Sequence, residues 1–430
     1  MKYLPLLLFV SACCLAQPQV QSQVQAAPKP LPVVASGNHW RLPAGHYKGH
    51  FIIRQSQHIE CDPDAVIDAG GEGHAVLIEA DAVEFNGCQI INWGRNLTNL
   101  DAAIFVAKTA ENTSLGRHRL RGPGFGIWVD AAPGVHIHDN DIEGDPAVRS
   151  QDRGNGIHLY AVTDARVEGN HVSQTRDGIY IDTSNKNHLH NNVLENLRYG
   201  VHYMFSHSNS VVGNTTRNTR TGYALMQSRS LDVRNNVSEN DQNYGILMNY
   251  ITYSTIAGNR VSNVQSGSTG NVMIQGAEGK ALFIYNSVFN DISYNEFVGS
   301  VMGIHLTAGS ENNKIYANSF INNQQQVKYV ATRFQEWSQE DTGNYWSDYF
   351  GWDRNNDERG DVPYEPNDNI DRLVWLYPEL RLLMNSPAIE LLRWVQEAFP
   401  VVKSPGVRDS RPLMRPLARP VSLPAGEALP

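Results

Sequence analysis

His202 and Met204 stand two residues apart, and Met226 follows Met204 by 22. On an extended strand, residues two apart share a face with backbones about 7 Å apart. If 22 residues close one turn of a coil, Met226 lies about 4.8 Å from Met204. An imidazole with two thioethers is a soft donor set that suits copper, Cu(I) above all, better than zinc, calcium or magnesium. The competing reading of the same methionines is an adaptable contact surface for a partner.

The elements that must position them are written in a repeat. Glycine followed by an apolar residue recurs at Gly156, Gly178, Gly200, Gly222 and Gly245, and asparagine keeps step at Asn170, Asn192, Asn214, Asn236 and Asn259. A unit of about 22 residues that alternates apolar and polar side chains is too short for a helical hairpin, so the fold predicted is a right-handed parallel β-helix. Counting from each glycine, positions +1 and +3 are apolar and point inward, as in Ile179/Ile181 and Val201/Tyr203. Positions +2 and +4 then point outward. They read His158/Tyr160, Tyr180/Asp182, His202/Met204, Ala224/Met226, Leu247/Asn249, Phe283/Tyr285 and His305/Thr307. Exposed aromatics and thioethers on successive coils ask for a ligand or partner, against the plainer alternative of stacked ladders that only stabilise the sheet. Three stretches, Lys108 to Phe125, Glu143 to Gly154 and Ser262 to Gly279, break the period just before this stripe and predict a wall of loops beside it. The pairs His136/His138 and His188/His190 read as surface histidines of another strand.

The remaining segments frame this solenoid. Residues 1–16 read as a secretory signal, with Cys13 in a lipobox-like context that competes with ordinary cleavage, and 17–32 as a flexible leader. Coils are expected over 33–342, a capping segment over 343–400 and an Arg/Pro-rich extended tail over 401–430. Cys61 and Cys88 fall at the same turn of neighbouring coils, as a disulfide or as two buried thiols. Asp353, Asn355, Asp357 and Asp361 alternate like the ligands of a structural Ca²⁺, without the glycine or the closing Glu of an EF-hand; a polar capping turn is the other reading. Ser386-Pro387 starts a short helix carrying Ile389, Leu392, Trp394, Val395 and Phe399, which either covers the open coil end or docks on a membrane protein. Arg411, Met414 and Arg415 lie in the extended arm and would reach an acidic partner. A net charge of −9 with few lysines leaves no basic stripe for nucleic acid.

The coil pattern, together with Asn344-Tyr345-Trp346-Ser347-Asp348-Tyr349, Pro363-Tyr364, Ser386-Pro387-Ala388 and Arg411-Pro412-Leu413-Met414, resembles the NosD family over essentially the whole mature chain. The acidic loop departs from that family's glycine-rich D-x-D-G-D-G pattern. The resemblance implies a non-enzymatic periplasmic accessory protein, associated with the inner membrane through an ABC transporter, NosFY. It would receive Cu(I) transiently from a copper lipoprotein, NosL, and support assembly of the copper-sulfide centre of nitrous oxide reductase. The apolar helix and the Arg-Pro arm would then contact the transporter. A rival reading is a polysaccharide lyase or epimerase acting on uronates, with Tyr180, Asp182, His202 and, as a further candidate, His158 as acid/base groups. Such chemistry wants a cation, Lys or Arg beside the carboxylate, and the outward positions supply neither Lys nor Arg. A metal-free docking scaffold is the third.

Overall fold

Each unit bends at three places, so its alternating strands lie in three sheets of thirteen strands each, stacked coil upon coil. The computed structural model describes residues 28–36, 39–269, 272–273, 278–330, 333–383, 386–398 and 406–417. The signal segment with Cys13, most of the leader, Phe399 and the tail beyond 417 lie outside them. Strand pairing begins at Lys29–Pro30, slightly earlier than expected, and reaches Tyr345–Trp346. The chain forms a right-handed β-helix with two α-helices near its C-terminus.

Alternation sets the faces as predicted. Ile179, Ile181, Val201, Tyr203, Tyr223, Leu225, Ile246 and Met248 are fully buried in the coil interior. Sheet A carries the stripe on the strands Asp177–Asp182, Tyr199–Met204, Thr221–Met226 and their neighbours. Met204 pairs in register with Met226, and His202 with Ala224.

The asparagines form a buried ladder from Asn140 to Asn344 at the corner between the other two sheets. Asn214 Oδ1 accepts from the Asn192 backbone N–H at 3.0 Å and from Asn192 Nδ2 at 2.9 Å, while its own Nδ2 donates to Leu189 O at 2.9 Å and Asn236 Oδ1 at 3.1 Å. The side chain satisfies backbone groups that a tight corner would otherwise bury unpaired. The repeat glycines answer a different need, the close approach of successive coils. A Cβ on Gly200 would lie 2.6 Å from Gly222 O and 2.4 Å from Thr216 Cγ2. Gly200→Ala should therefore lower stability by about 1–3 kcal/mol as an overpacked contact, read as a fall in melting temperature; an unchanged melting temperature would mean that the coils can move apart at no cost.

At the N-terminal end the structure decides between the two readings of the cysteines, and at the C-terminal end it redraws the tail. Cys61 and Cys88 are joined as a disulfide with Cα atoms 5.0 Å apart, following the register of Ile59 on Phe85. The C-terminal opening is closed by stacked rings, Phe320 on Trp346 at 4.3 Å and Trp346 on Tyr364 at 4.5 Å, and not by the helix. Residues 406–417 run back onto this cap, where an extended arm was expected. Val407–Arg408 pairs with Gln335–Glu336, and buried Asp409 accepts from Asn344 N at 2.7 Å and Trp346 Nε1 at 2.8 Å. Met414 is pinned through its N–H to Glu358 O at 2.9 Å, while the Arg411 and Arg415 side chains remain largely exposed, near Asp341 and Glu358.

The calcium expectation finds no support in the acidic loop. Asp353 accepts from Asp357 N and Glu358 N, Asp361 from Arg354 N, and Asp357 from Arg359 N and Asn355 Nδ2. These oxygens are spent on donors of their own loop, as in the polar capping turn. Helices α1 (Asn369–Leu376) and α2 (Pro387–Ala398) make a small cluster of their own through Ile370, Val374 and Ile389. Asp368 starts α1 with a capping box. Ile389 is thus interior rather than a docking residue; Leu391, Leu392 and Trp394 are exposed and Val395 is half-buried.

The loop wall is also partly redrawn. Residues 144–154 do leave the coil before sheet A, and the described part of the second insertion pairs Ser268–Thr269 with Val272–Met273, but Lys108 to Phe125 holds the regular strands Ser114–Gly116 and Arg119–Arg121. The first loop is instead 92–101, whose Leu97 and Leu100 cover Phe105, Phe125 and Trp128 on the outer face. A cleft of about 530 Å³ separates Arg95 and Leu97 from Ala147–Asp152 of the next loop.

Candidate functional site

Three rows of side chains, not two, build the outer face of sheet A. Register pairs Asp177 with Tyr199 and Ile179 with Val201, and the intervening glycine bends the strand so that the residue before it joins the outward side. The added row is Asp177, Tyr199, Thr221, Tyr244 and Lys280. Alternation counted from the glycine missed it, because the bend resets the count. The signal was available in the polar character of these positions despite their odd spacing.

The middle row forms a ring column. Trp128 and His158 lie 3.9 Å apart, His158 and Tyr180 4.6 Å, and Tyr180 and His202 4.2 Å with planes 7° apart. Its members are far more enclosed than an outward stripe suggests: His158 and His202 are each only 6% exposed. Neighbouring rows and the column itself cover them. The outermost row stays more open, with Tyr160 and Tyr285 exposed and Asp182, Met204 and Met226 half-buried.

His202 is held from several sides. Its Nδ1 lies 3.0 Å from Asp177 Oδ2, Tyr180 stacks on its face, and Tyr199 meets it edge-on at 4.9 Å. Asp177 in turn receives Arg198 through Nε at 2.7 Å and Nη2 at 2.6 Å, and that guanidinium lies 4.4 Å above the Tyr199 ring. Burial pushes the Asp177 carboxyl up, but the bonds from His202 and Arg198 prevail and hold it below the usual carboxylate range. A carboxylate only accepts, so His202 Nδ1 carries a proton, and in the neutral imidazole Nε2 is the nitrogen with the lone pair. That Nε2 is buried and without a hydrogen-bond partner. Burial lowers His158 to about 3, leaving it neutral, and raises the Tyr180 phenol to about 12, which makes it a poor base near neutral pH.

Past the apolar step at Ala224 and Leu247, a second cluster follows. Lys280 is ion-paired to Glu278 and lies 5.1 Å from the ring centres of both Tyr244 and Phe283; Phe283 contacts His305 at 4.9 Å. Burial, reinforced by Lys328 and Lys280, lowers His305 to about 3. The expectation of a face without Lys or Arg is therefore corrected: Arg198 and Lys280 both reach it, each bound to a carboxylate, and Lys328 stands on it in register with His305. Among the described residues no three His, Cys, Asp or Glu side chains converge as a metal cluster. Any metal site that these rows allow is a soft one that draws on thioether sulfur. His202, Met204 and Met226 share one face on adjacent strands, which fits such a site.

A family model described as "Periplasmic copper-binding protein (NosD)" matches residues 138–351, and one for a right-handed β-helix region matches 51–216. A protein of Pseudomonas aeruginosa named probable ABC transporter binding protein NosD is 64% identical over 392 residues, 91% of this chain and 92% of the relative. The chain belongs to the NosD family. A NosD of Stutzerimonas stutzeri with the same name is 63% identical over 396 residues, 91% of each chain. Among solved structures, the surface adhesin PfbA of Streptococcus pneumoniae aligns with a TM-score of 0.50 and 11% identity over 68% of this chain and 84% of that one, a likeness of fold alone. The NosD model spans the strands that carry His158, Tyr180, His202, Met204 and Met226. No helix of the described residues is long and apolar enough to cross a membrane.

Proposed function

We propose that this NosD-family protein is a periplasmic accessory protein, not an enzyme, that takes up Cu(I) on sheet A. With an ABC transporter, NosFY, it supports assembly of the copper-sulfide centre of nitrous oxide reductase, receiving the metal from a carrier such as NosL. The observations that carry this reading are the buried, unpartnered Nε2 of His202 and the register of Met204 on Met226, on the same outer face of adjacent strands. Its donor set matches Cu(I). The exposed Leu392 and Trp394, with Arg411 and Arg415, are the surface proposed for the transporter. The lyase reading is weaker, because Arg198 and Lys280 are neutralised by Asp177 and Glu278 and Tyr180 holds its proton.

An anaerobic Cu(I) titration against a competing chelator tests this, run on the mature protein and on a Met204→Ala/Met226→Ala variant of unchanged circular dichroism. Tight binding in the parent should fall by at least about 100-fold in the variant, as two soft ligands are removed. Equal affinity in both would remove the methionine site; no binding in either would leave a metal-free docking scaffold.

A further inference from the structure

We infer that Asp177, clamped by Arg198, is a positioning residue that locks His202 in the Nδ1–H tautomer and so keeps Nε2 as the nitrogen that meets the metal. This rests on the copper reading above and adds to it a pair of residues that touches no metal. The argument is geometric. An imidazole has two nitrogens, and in its neutral form one donates and one accepts. Asp177 Oδ2, 3.0 Å from Nδ1, accepts only, which assigns the proton to Nδ1. The carboxylate cannot swing away, because Arg198 holds both of its oxygens and is itself laid over Tyr199. The ring cannot tip freely either, with Tyr180 parallel on its face and Tyr199 against its edge. What remains unsatisfied in the neutral ring is the buried lone pair of Nε2. Metal-bound histidines are characteristically oriented this way, by a carboxylate on the other nitrogen.

The same geometry separates His202 from its neighbour His158. The Nδ1 of His158 lies 3.1 Å from Asn155 Nδ2, an amide that can satisfy it without any carboxylate, and no buried ion pair fixes its ring. Of the two, His202 is the one whose tautomer is enforced by a clamped carboxylate and that shares a strand with Met204.

The test reads the tautomer directly in copper-free protein, by long-range ¹H–¹⁵N spectra of the full mature chain labelled at histidine, with His202→Gln to assign the signal. His202 should carry its proton on Nδ1. In Asp177→Asn the amide brings a donor into a site already filled by the guanidinium, so His202 should shift towards Nε2–H and Cu(I) affinity should fall about 10–100-fold. Asp177→Glu should restore part of both. Arg198→Gln leaves the carboxylate in place and should give a smaller loss in the same direction, which keeps the test open should Asp177→Asn fold poorly. An Nε2–H tautomer in the parent, or an unchanged tautomer and affinity in Asp177→Asn, overturns the proposal. If the tautomer responds as expected but the parent protein binds no Cu(I), the copper reading fails while Asp177's hold on His202 stands, so the two failures are distinguishable.

Discussion

Asn214→Ala should lower the free energy of unfolding by on the order of 4 kcal/mol, the largest effect expected of a substitution on the coil. The Asn214 side chain is fully buried, and its removal strands the Asn192 N–H, leaves Asn192 Nδ2 with Val167 O alone, and takes one donor each from Leu189 O and Asn236 Oδ1. Each unsatisfied buried group costs about 1–3 kcal/mol, and water cannot enter so tight a corner to replace the amide. Asn214→Asp would be no gentler near neutral pH: its carboxylate still accepts from Asn192, yet it faces Leu189 O and Asn236 Oδ1 with no proton to offer. Because each coil contacts chiefly its neighbours, the damage should be local, and urea unfolding should divide into two transitions at this interface. A loss below about 1 kcal/mol, with a single transition, would show that the ladder is ornamental.

Mild acid is the second strong perturbation. Burial holds His158 and His305 down at about 3 and His118 at about 4. For His118 the reason is plain, since Nε2 faces Phe85 O at 2.7 Å and Nδ1 accepts from Cys88 N at 3.2 Å, leaving no place for a second proton. The unfolded chain binds these protons near pH 6.5, so the stability that the neutral rings contribute is lost as pH falls below 6.5 towards the folded values. At pH 5 each costs about 2 kcal/mol relative to pH 7, about 6 in all. Two buried acids oppose this. Burial raises Asp241 and Asp409 to about 6 despite their hydrogen bonds, so both favour the folded state as pH falls through 6, together by about 3 kcal/mol at pH 5 relative to pH 7. The histidines win, and a net loss of about 3 kcal/mol is expected between pH 7 and pH 5. Urea midpoints measured across that range check it; a flat profile, or a rise, would mean that the buried rings take up protons inside the fold.

Much of this molecule is legible in its sequence because a solenoid turns sequence separation into spatial adjacency. Twenty-two residues between Met204 and Met226, or between Asn192 and Asn214, become one strand spacing, so the period alone gives fold, register and the inward and outward faces. The disulfide register of Cys61 and Cys88 is legible for the same reason. Tertiary structure decided what strict alternation cannot carry. The bend at each repeat glycine brings Asp177, Tyr199 and Lys280 onto the functional face, and Arg198 follows through its long side chain. Stacking between coils, not the residue's own neighbours in sequence, buries His202 and leaves its Nε2 unpaired. The tail's return depends on Asp409 meeting Asn344 and Trp346 across more than 60 residues. No local pattern records such a contact, because a buried carboxylate is tolerated only where the finished fold brings its donors together.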